Sequence, residues 1–381
     1  MPDGGLLSMK IAFDAYPIAV PRLSGVGVHA LEIASRLCRR KELDCTLLLY
    51  DFFKRRGSKK TLETRIPHTK IVQNSLLPYG VYVELWDRFP GLGLEQVFGI
   101  SADISHFFNF VLPPKATGRV INTVHDLVYL NYPETMEKQN YRRLCKHLER
   151  SCRDSDLVIT VSETVKQELI DQLGIPEKKV RVVYNGVDQK RFCPQAGRLS
   201  SMPEHYFLYL GTLEPRKNLV GLLEAYRIGK NRFGGCKLVL GGARGWEYDD
   251  IFKTVRKLGL EEDVIFPGYL PAEQLPALYA GADAFVFPSF YEGFGIPPLE
   301  AMACGTPVIT SGCSSMPEVT GDAAVLVDPH QPEELAEAME RMLRDHELRN
   351  TCISRGLERV KRFTWEKAAE DVYRIYQELG R

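Results

Sequence analysis

The sequence predicts an α/β protein made of two doubly wound, Rossmann-like domains. Three observations carry this. Short, continuously apolar runs alternate with amphipathic stretches along the whole chain. Such runs read as parallel strands buried on both faces. The series occurs twice, interrupted near Arg191–Pro203, where RFCPQAGRLSSMP is rich in Pro, Gly and Ser and loses its periodicity. The chain has 381 residues, enough for two or three domains with sizeable cores.

In order, the first-half strands are Lys10–Asp14, Cys45–Tyr50, Ile104–Phe108, Val120–Val124, Leu157–Val161 and Val180–Val183. Helical patterns lie between them at Val26–Arg39, Glu137–Ser151 and Glu163–Gln172, the last with Ser162 as N-cap. The second-half strands are Tyr206–Leu210, Lys237–Leu240, Val264–Phe266, Ala284–Phe287, Val308–Thr310 and Ala324–Val327. Helices intervene at Val220–Tyr226, Tyr248–Leu258 and Glu334–Arg344. The run Trp365–Leu379 is amphipathic and is expected to pack back on the first domain. The expected domains are therefore 9–195, 203–361 and a C-terminal helix over 362–381. Ligands of such folds bind at the carboxyl ends of the strands, here facing across a cleft.

Composition excludes several classes. Hydrophobic residues make up 44% and charged residues 26%, which rules out a disordered tail, a collagen or a disulfide scaffold. Nine cysteines without a CxxC read as reduced thiols of a cytoplasmic protein. The first ten residues lack a secretory apolar region, and Met9 is a second candidate start. No apolar run approaches the length of a membrane span. Net charge is zero but uneven: residues 1–200 hold 29 Lys and Arg against 22 Asp and Glu. The densest basic run is Lys54-Arg55-Arg56-Gly57-Ser58-Lys59-Lys60. A basic first half suits a peripheral contact with an anionic membrane face; no nucleic acid is expected.

The strongest motif is FVFPSFYEGFGIPPLEAMACGTPVITS from Phe285. A strand runs into a Gly-rich turn, Glu292-Gly293-Phe294-Gly295-Ile296. Pro297 and Pro298 then suit the first turn of a helix over Pro298–Ala303. The turn aims a helix N-terminus at the ligand edge, where orphan amides favour phosphate. Glu292 can accept from sugar hydroxyls, and Glu300, on the first helical turn, from a ribose diol. The second motif, FLYLGTLEPRKNL, puts Arg216 and Lys217 on another loop at the same edge. Two cations there can hold a diphosphate and stabilise its charge as it leaves.

Two other patterns read as structural. Gly25-Val26-Gly27-Val28-His29-Ala30 matches a dinucleotide fingerprint, but ten residues separate it from the preceding strand. Asp154-Ser155-Asp156 matches a metal-chelating DxD. It stands directly before a strand, as do Asp103 and Asp283, which favours a recurring helix-to-strand turn. No His/Cys cluster has metal-site spacing, so no metal is expected.

These motifs resemble the family-4 retaining glycosyltransferases of the GT-B fold. The likeness rests on Glu292-x7-Glu300 in its GFGxPxxEAMACGxPV context, the GTLEPRKN loop, NGVD at Asn185–Asp188 and FTW at Phe363–Trp365. The EPRKN variant looks most like bacterial polysaccharide mannosyltransferases. The resemblance implies that Glu300 holds the nucleotide ribose and Glu292 the transferred sugar. The backbone of Gly293, Phe294, Gly295 and Ile296 would line the donor, with Arg216 and Lys217 on the diphosphate. His125, in TVHDL, would be the donor-sugar histidine, with His29 a second candidate. Gly25 and Gly27 would form the first-domain glycine loop, and Tyr269 and Leu270 would cradle the base. The implied reaction moves a hexose, best matched by mannose from GDP-mannose, to a glycan or lipid-linked acceptor, with no other cofactor. The rival readings are a UDP-glucose transferase, a nucleotide-sugar epimerase and a non-catalytic two-lobed sugar-binding protein. Two departures stand out. Gly211-Thr212 replaces the Gly-Arg of many relatives, leaving Arg216 to substitute, and Val28-His29 replaces Arg-Tyr.

Overall fold

The computed structural model describes residues 8–51, 57–75, 93–113, 116, 118–268 and 270–380. Tyr269 and the Lys54, Arg55 and Arg56 portion of the basic run lie outside the described residues. The chain forms two compact units. One comprises Met1–Asp126, Arg142–Asn185 and Trp365–Arg381; the other comprises Leu127–Tyr141 and Gly186–Thr364.

The first unit holds a seven-stranded sheet in the order β3-β2-β1-β4-β5-β6-β7. Its strands are β1 (Met9–Asp14), β2 (Leu43–Tyr50), β3 (Lys70–Asn74), β4 (Ile104–Phe107), β5 (Arg119–Val124), β6 (Leu157–Thr160) and β7 (Val180–Val182). Every pairing is parallel, for example Ile11 with Cys45 on one side and with Ile104 on the other. The edge strand β3 was not expected from the sequence. Its KIVQN is half-exposed and offers only two aliphatic residues, so no continuous apolar run announces it. The C-terminal helix Trp365–Leu379 packs on the helix Gly25–Leu37. Arg36 pairs with Glu366 at 2.9 Å, Arg40 pairs with Glu370, and the Arg40 guanidinium lies over the Tyr373 ring.

The second unit holds a six-stranded parallel sheet in the order β10-β9-β8-β11-β12-β13. Here β8 is Tyr206–Leu210, β9 Lys237–Gly241, β10 Val264–Ile265, β11 Ala284–Phe287, β12 Val308–Ser311 and β13 Ala324–Val327. Strands β8 and β11 pair through Ala284 with Phe207 and Phe285 with Leu208, although 74 or more residues separate them in sequence. The order of connections reverses between them. This switch point opens a crevice at the strand ends, and it places the loops after β8 and β11 side by side. The inner strand residues Phe207, Leu208, Phe285 and Val286 are fully buried, as a sheet covered on both faces requires.

One device recurs across both sheets. The carboxylate of Asp103 accepts from the Lys10 amide at 2.7 Å, that of Asp156 from Val120 at 2.8 Å, and that of Asp283 from Tyr206 at 2.9 Å. Each Asp stands just before a strand and ties down the first free N–H of its neighbour. Asp156 therefore serves the sheet edge, as the turn reading of Asp154-Ser155-Asp156 anticipated. Ser162 caps the helix Glu163–Leu173, accepting from the Val165 amide.

Candidate active site

The site in the second unit is built by loops sewn together at the switch point. After β8, Pro215–Lys217 makes one tight turn, and Asn218 follows in the left-handed region at φ 56°. The Asn218 amide group donates to the Pro288 carbonyl after β11 (3.2 Å) and to that of Pro329 after β13 (2.6 Å). The Phe290 amide donates to the Arg216 carbonyl at 3.0 Å. The Arg216 guanidinium donates to the Tyr291 carbonyl at 2.8 Å. These bonds fix the cationic turn against the Glu292 turn.

Arg216 then meets Glu292 at 2.9 Å and Glu214 at 3.1 Å, while the Lys217 ammonium pairs with the other Glu292 oxygen. Lys217 and Glu292 are both buried. Burial alone would raise the Glu292 carboxyl, but Arg216 and Lys217 outweigh it and hold the group at about 2. Burial pushes Lys217 down, helped by Arg216 and opposed by Glu292. The seat is therefore not the bare positive one that the motif suggested: two cations face two carboxylates. The Glu292 backbone is held from β12's loop, its amide donating to the Ser314 hydroxyl and its carbonyl accepting from the Ser315 hydroxyl.

The helix after the Gly-rich turn spans Ile296–Ala303 rather than starting at Pro298, so Glu300 sits in its second turn. Pro297 and Pro298 remove two amide donors from this N-terminus, leaving the amide of Ile296 and those of the preceding turn. Gly295 is in the left-handed region at φ 94°, and a Cβ there would come within 2.4 Å of the Met316 methyl. A side chain here would be strained by the backbone and would have to displace the Met316 end, which favours glycine. Gly293 and Phe294 are buried beside it. Glu300 has partners of its own. It accepts from the Tyr279 hydroxyl at 2.9 Å, and burial raises its carboxyl to about 7 against the pull of Tyr279 and Arg191. Leu270 is half-buried past β10.

In the first unit, Ser24 caps the helix at Gly25, accepting from the Gly27 amide. A Cβ on Gly27 would lie 2.8 Å from the Pro17 carbonyl oxygen, whereas nothing approaches that of Gly25. His125 follows β5 and is buried; its Nε2–H donates to the Phe108 carbonyl at 2.8 Å. His29 is buried too, and its Nδ1–H donates to the Asn185 side-chain oxygen at 2.7 Å. His106 bonds Thr123 and the Tyr376 hydroxyl. Burial holds all three imidazoles neutral, His29 at about 3 and His125 at about 4.

The structure thus gathers Arg216, Lys217 and Glu292 at one switch point and places Glu300 on the helix leaving it. His125, Gly25 and Gly27 belong to the other unit. Sequence reasoning passed over Glu214, Asn218, Ser314, Ser315 and Tyr279 as supports. Glu214 and Asn218 stand inside the quoted EPRKN string, but no spacing rule marks the other three.

Two family models match the chain: the Glycosyltransferase Family 4 model over residues 23–191 and the Glycosyl transferases group 1 model over residues 196–359. The chain is similar to O-antigen chain mannosyltransferase B of Escherichia coli, 32% identical over 97% of this chain and 100% of that one. Among solved structures it resembles sucrose-phosphate synthase from Thermosynechococcus elongatus, with a TM-score of 0.75 and 21% identity over 97% of this chain and 99% of that one. It also resembles Anabaena Alr3699/HepE in complex with UDP-glucose, with a TM-score of 0.73 and 20% identity over 97% and 100% of the two chains.

Proposed function

The chain belongs to the family-4 glycosyltransferases of the GT-B fold, and on that premise we propose that it transfers mannose from GDP-mannose to a hydroxyl of a lipid-linked or oligosaccharide acceptor, in the building of a surface polysaccharide. The observation that carries this reading is the likeness, end to end, to an O-antigen chain mannosyltransferase.

In this reading the second unit binds the nucleotide sugar. Arg216 and Lys217 take the diphosphate, Glu300 the ribose and Glu292 the hydroxyls of the transferred sugar. The backbone from Gly293 to Ile296 lines the donor, and the loop holding Tyr269 and Leu270 takes the base. The first unit supplies His125, the Gly25 and Gly27 loop and the acceptor. Glu292 suits hydroxyls because it stays ionised and can only accept. Both its oxygens already face cations, which disfavours it as a nucleophile.

The bond from the sugar's C1 to the diphosphate oxygen breaks as the acceptor oxygen bonds C1 on the same face. The leaving phosphate takes the acceptor proton, and the α configuration is kept. Two side-chain cations neutralise the leaving group, so transfer should persist in EDTA. The reaction belongs at the cytoplasmic face of a membrane; among the described residues no helix is long and apolar enough to cross one.

Thermal-shift titration with GDP, UDP, ADP and their sugars tests the donor, since a ligand of the folded state raises its melting temperature. Turnover of GDP-mannose with octyl α-mannoside tests the reaction. A shift with UDP-glucose alone, or release of a free epimer without acceptor, would replace the mannose reading. A covalent glycosyl-enzyme by mass spectrometry would replace same-face attack.

A further inference from the structure

His125 serves the transferred sugar on the reading above, and what holds its ring in place then bears on the reaction. The 2.8 Å bond to the Phe108 carbonyl requires the proton on Nε2. In a neutral imidazole Nδ1 is then an acceptor. The ring's orientation is set by neighbours: the His29 ring stands against it at 4.9 Å and 86°, and Phe110 at 5.5 Å and 61°.

His29 is itself over-determined. Asn185 fixes its Nδ1–H at 2.7 Å, and its ring packs edgewise against Phe108 at 5.9 Å and Trp365 at 6.4 Å. Its Nε2 is buried with no hydrogen-bond partner among the described residues, and the residue is 1% exposed. An unmatched buried polar atom is destabilising, so a plain core position is better served by Phe or Leu. The Asn185 bond explains the choice. With the proton drawn to Nδ1, the buried His29 Nε2 carries no N–H that would lack an acceptor, and His29 meets His125 by edgewise ring packing alone.

We propose that Asn185 and His29 are a positioning pair for His125: Asn185, from the NGVD string, selects the His29 tautomer, and His29 holds the His125 ring with Nδ1 presented as an acceptor for a donor-sugar hydroxyl. His125 is the group that meets substrate; His29 and Asn185 act through it.

The test uses the full chain labelled with 15N-histidine, with His29→Phe and His125→Phe to assign signals. Long-range 1H–15N correlation spectra should show His29 protonated at Nδ1 and His125 at Nε2, and Asn185→Leu should move the His29 proton toward Nε2. A His29 protonated at Nε2 in the unmodified protein overturns the proposal.

Kinetics with GDP-mannose and octyl α-mannoside close the case. His29→Phe and Asn185→Leu should each lower kcat about tenfold or more with little change in donor KM. In a His125→Ala background the further loss from His29→Phe should be under about twofold, because the residues act as a unit. Losses that multiply overturn the positioning role while leaving the function of His125 standing. Unchanged turnover in His125→Ala removes the underlying reading and the pair's role with it. Asn185→Leu serves both readouts if His29→Phe does not fold.

Discussion

Lys217→Met removes one ammonium from the switch point while keeping most of the apolar stem. Glu292 is held at about 2 instead of its usual 4.5, despite burial. At about 1.4 kcal/mol per pH unit, that gap is a net preference of about 3 kcal/mol for the charged carboxylate. Removing one partner of a buried ion pair typically costs about 3–5 kcal/mol, because the other charge stays buried. Arg216 remains 2.9 Å from Glu292 and is less buried, so the expected loss is about 2–3 kcal/mol. Lys217→Met/Glu292→Gln removes both charges and should recover about half of that loss, about 1–1.5 kcal/mol. Urea unfolding at pH 7.5, followed by tryptophan fluorescence, measures it, since Trp246 reports on the second unit. A depressed carboxyl stabilises in full above about pH 4.5 and loses that stabilisation as pH falls toward 2, so Glu292→Gln should also flatten the acid limb. A double variant as unstable as Lys217→Met, or an unchanged acid limb, refutes the claim that these charges support one another.

Glu292→Gln should tighten GDP binding about tenfold by calorimetry, since the cations lose their resident competitor, yet it should lower mannose transfer. Glu300 sits at about 7 in the free protein, and ribose hydroxyls favour its ionised form. GDP binding should therefore release a proton, and Kd should fall about tenfold from pH 6 to pH 8; a flat profile removes Glu300 from the ribose. Gly295→Ala forces a left-handed alanine onto the Met316 methyl and should destabilise by about 1–3 kcal/mol, with partial rescue by Met316→Ala in thermal melts. The buried neutral His29, at about 3, opposes folding as pH falls below its unfolded value near 6.5. The stability lost between pH 7.5 and pH 5 should be about 2 kcal/mol smaller in His29→Phe.

Much of the fold was legible because both sheets are parallel and covered, which forces each inner strand to be an apolar run. The inner strands Tyr206–Leu210 and Ala284–Phe287 fall where the sequence puts them. The failures have the same cause. Strand β3 lies at an edge and needs only one buried side chain, Asn74. The helix His346–Arg359 escaped notice because it buries only Cys352 and Gly356, so no apolar stripe marks it. The start at Ile296 was hidden by two prolines. They suit a first turn wherever in it they stand, so they do not say which residue begins the helix.

The site was legible at the level of loops and not of contacts. Parallel topology sends the loops after β8 and β11 to one edge, so Arg216, Lys217 and Glu292 could be placed together from the sequence. Their pairing could not, because it depends on side chains 75 and 76 positions apart meeting in a buried setting. That pairing changes the physics expected of the seat. A cationic hollow would attract any polyanion. A cluster in which Glu214 and Glu292 already balance Arg216 and Lys217 offers little net charge, so an incoming diphosphate must match the direction of the donors to displace a carboxylate. Glu292, which the motif offers as a sugar contact, thus also screens the cations, and under the proposed function selectivity for a nucleotide sugar over free phosphate would follow from that competition.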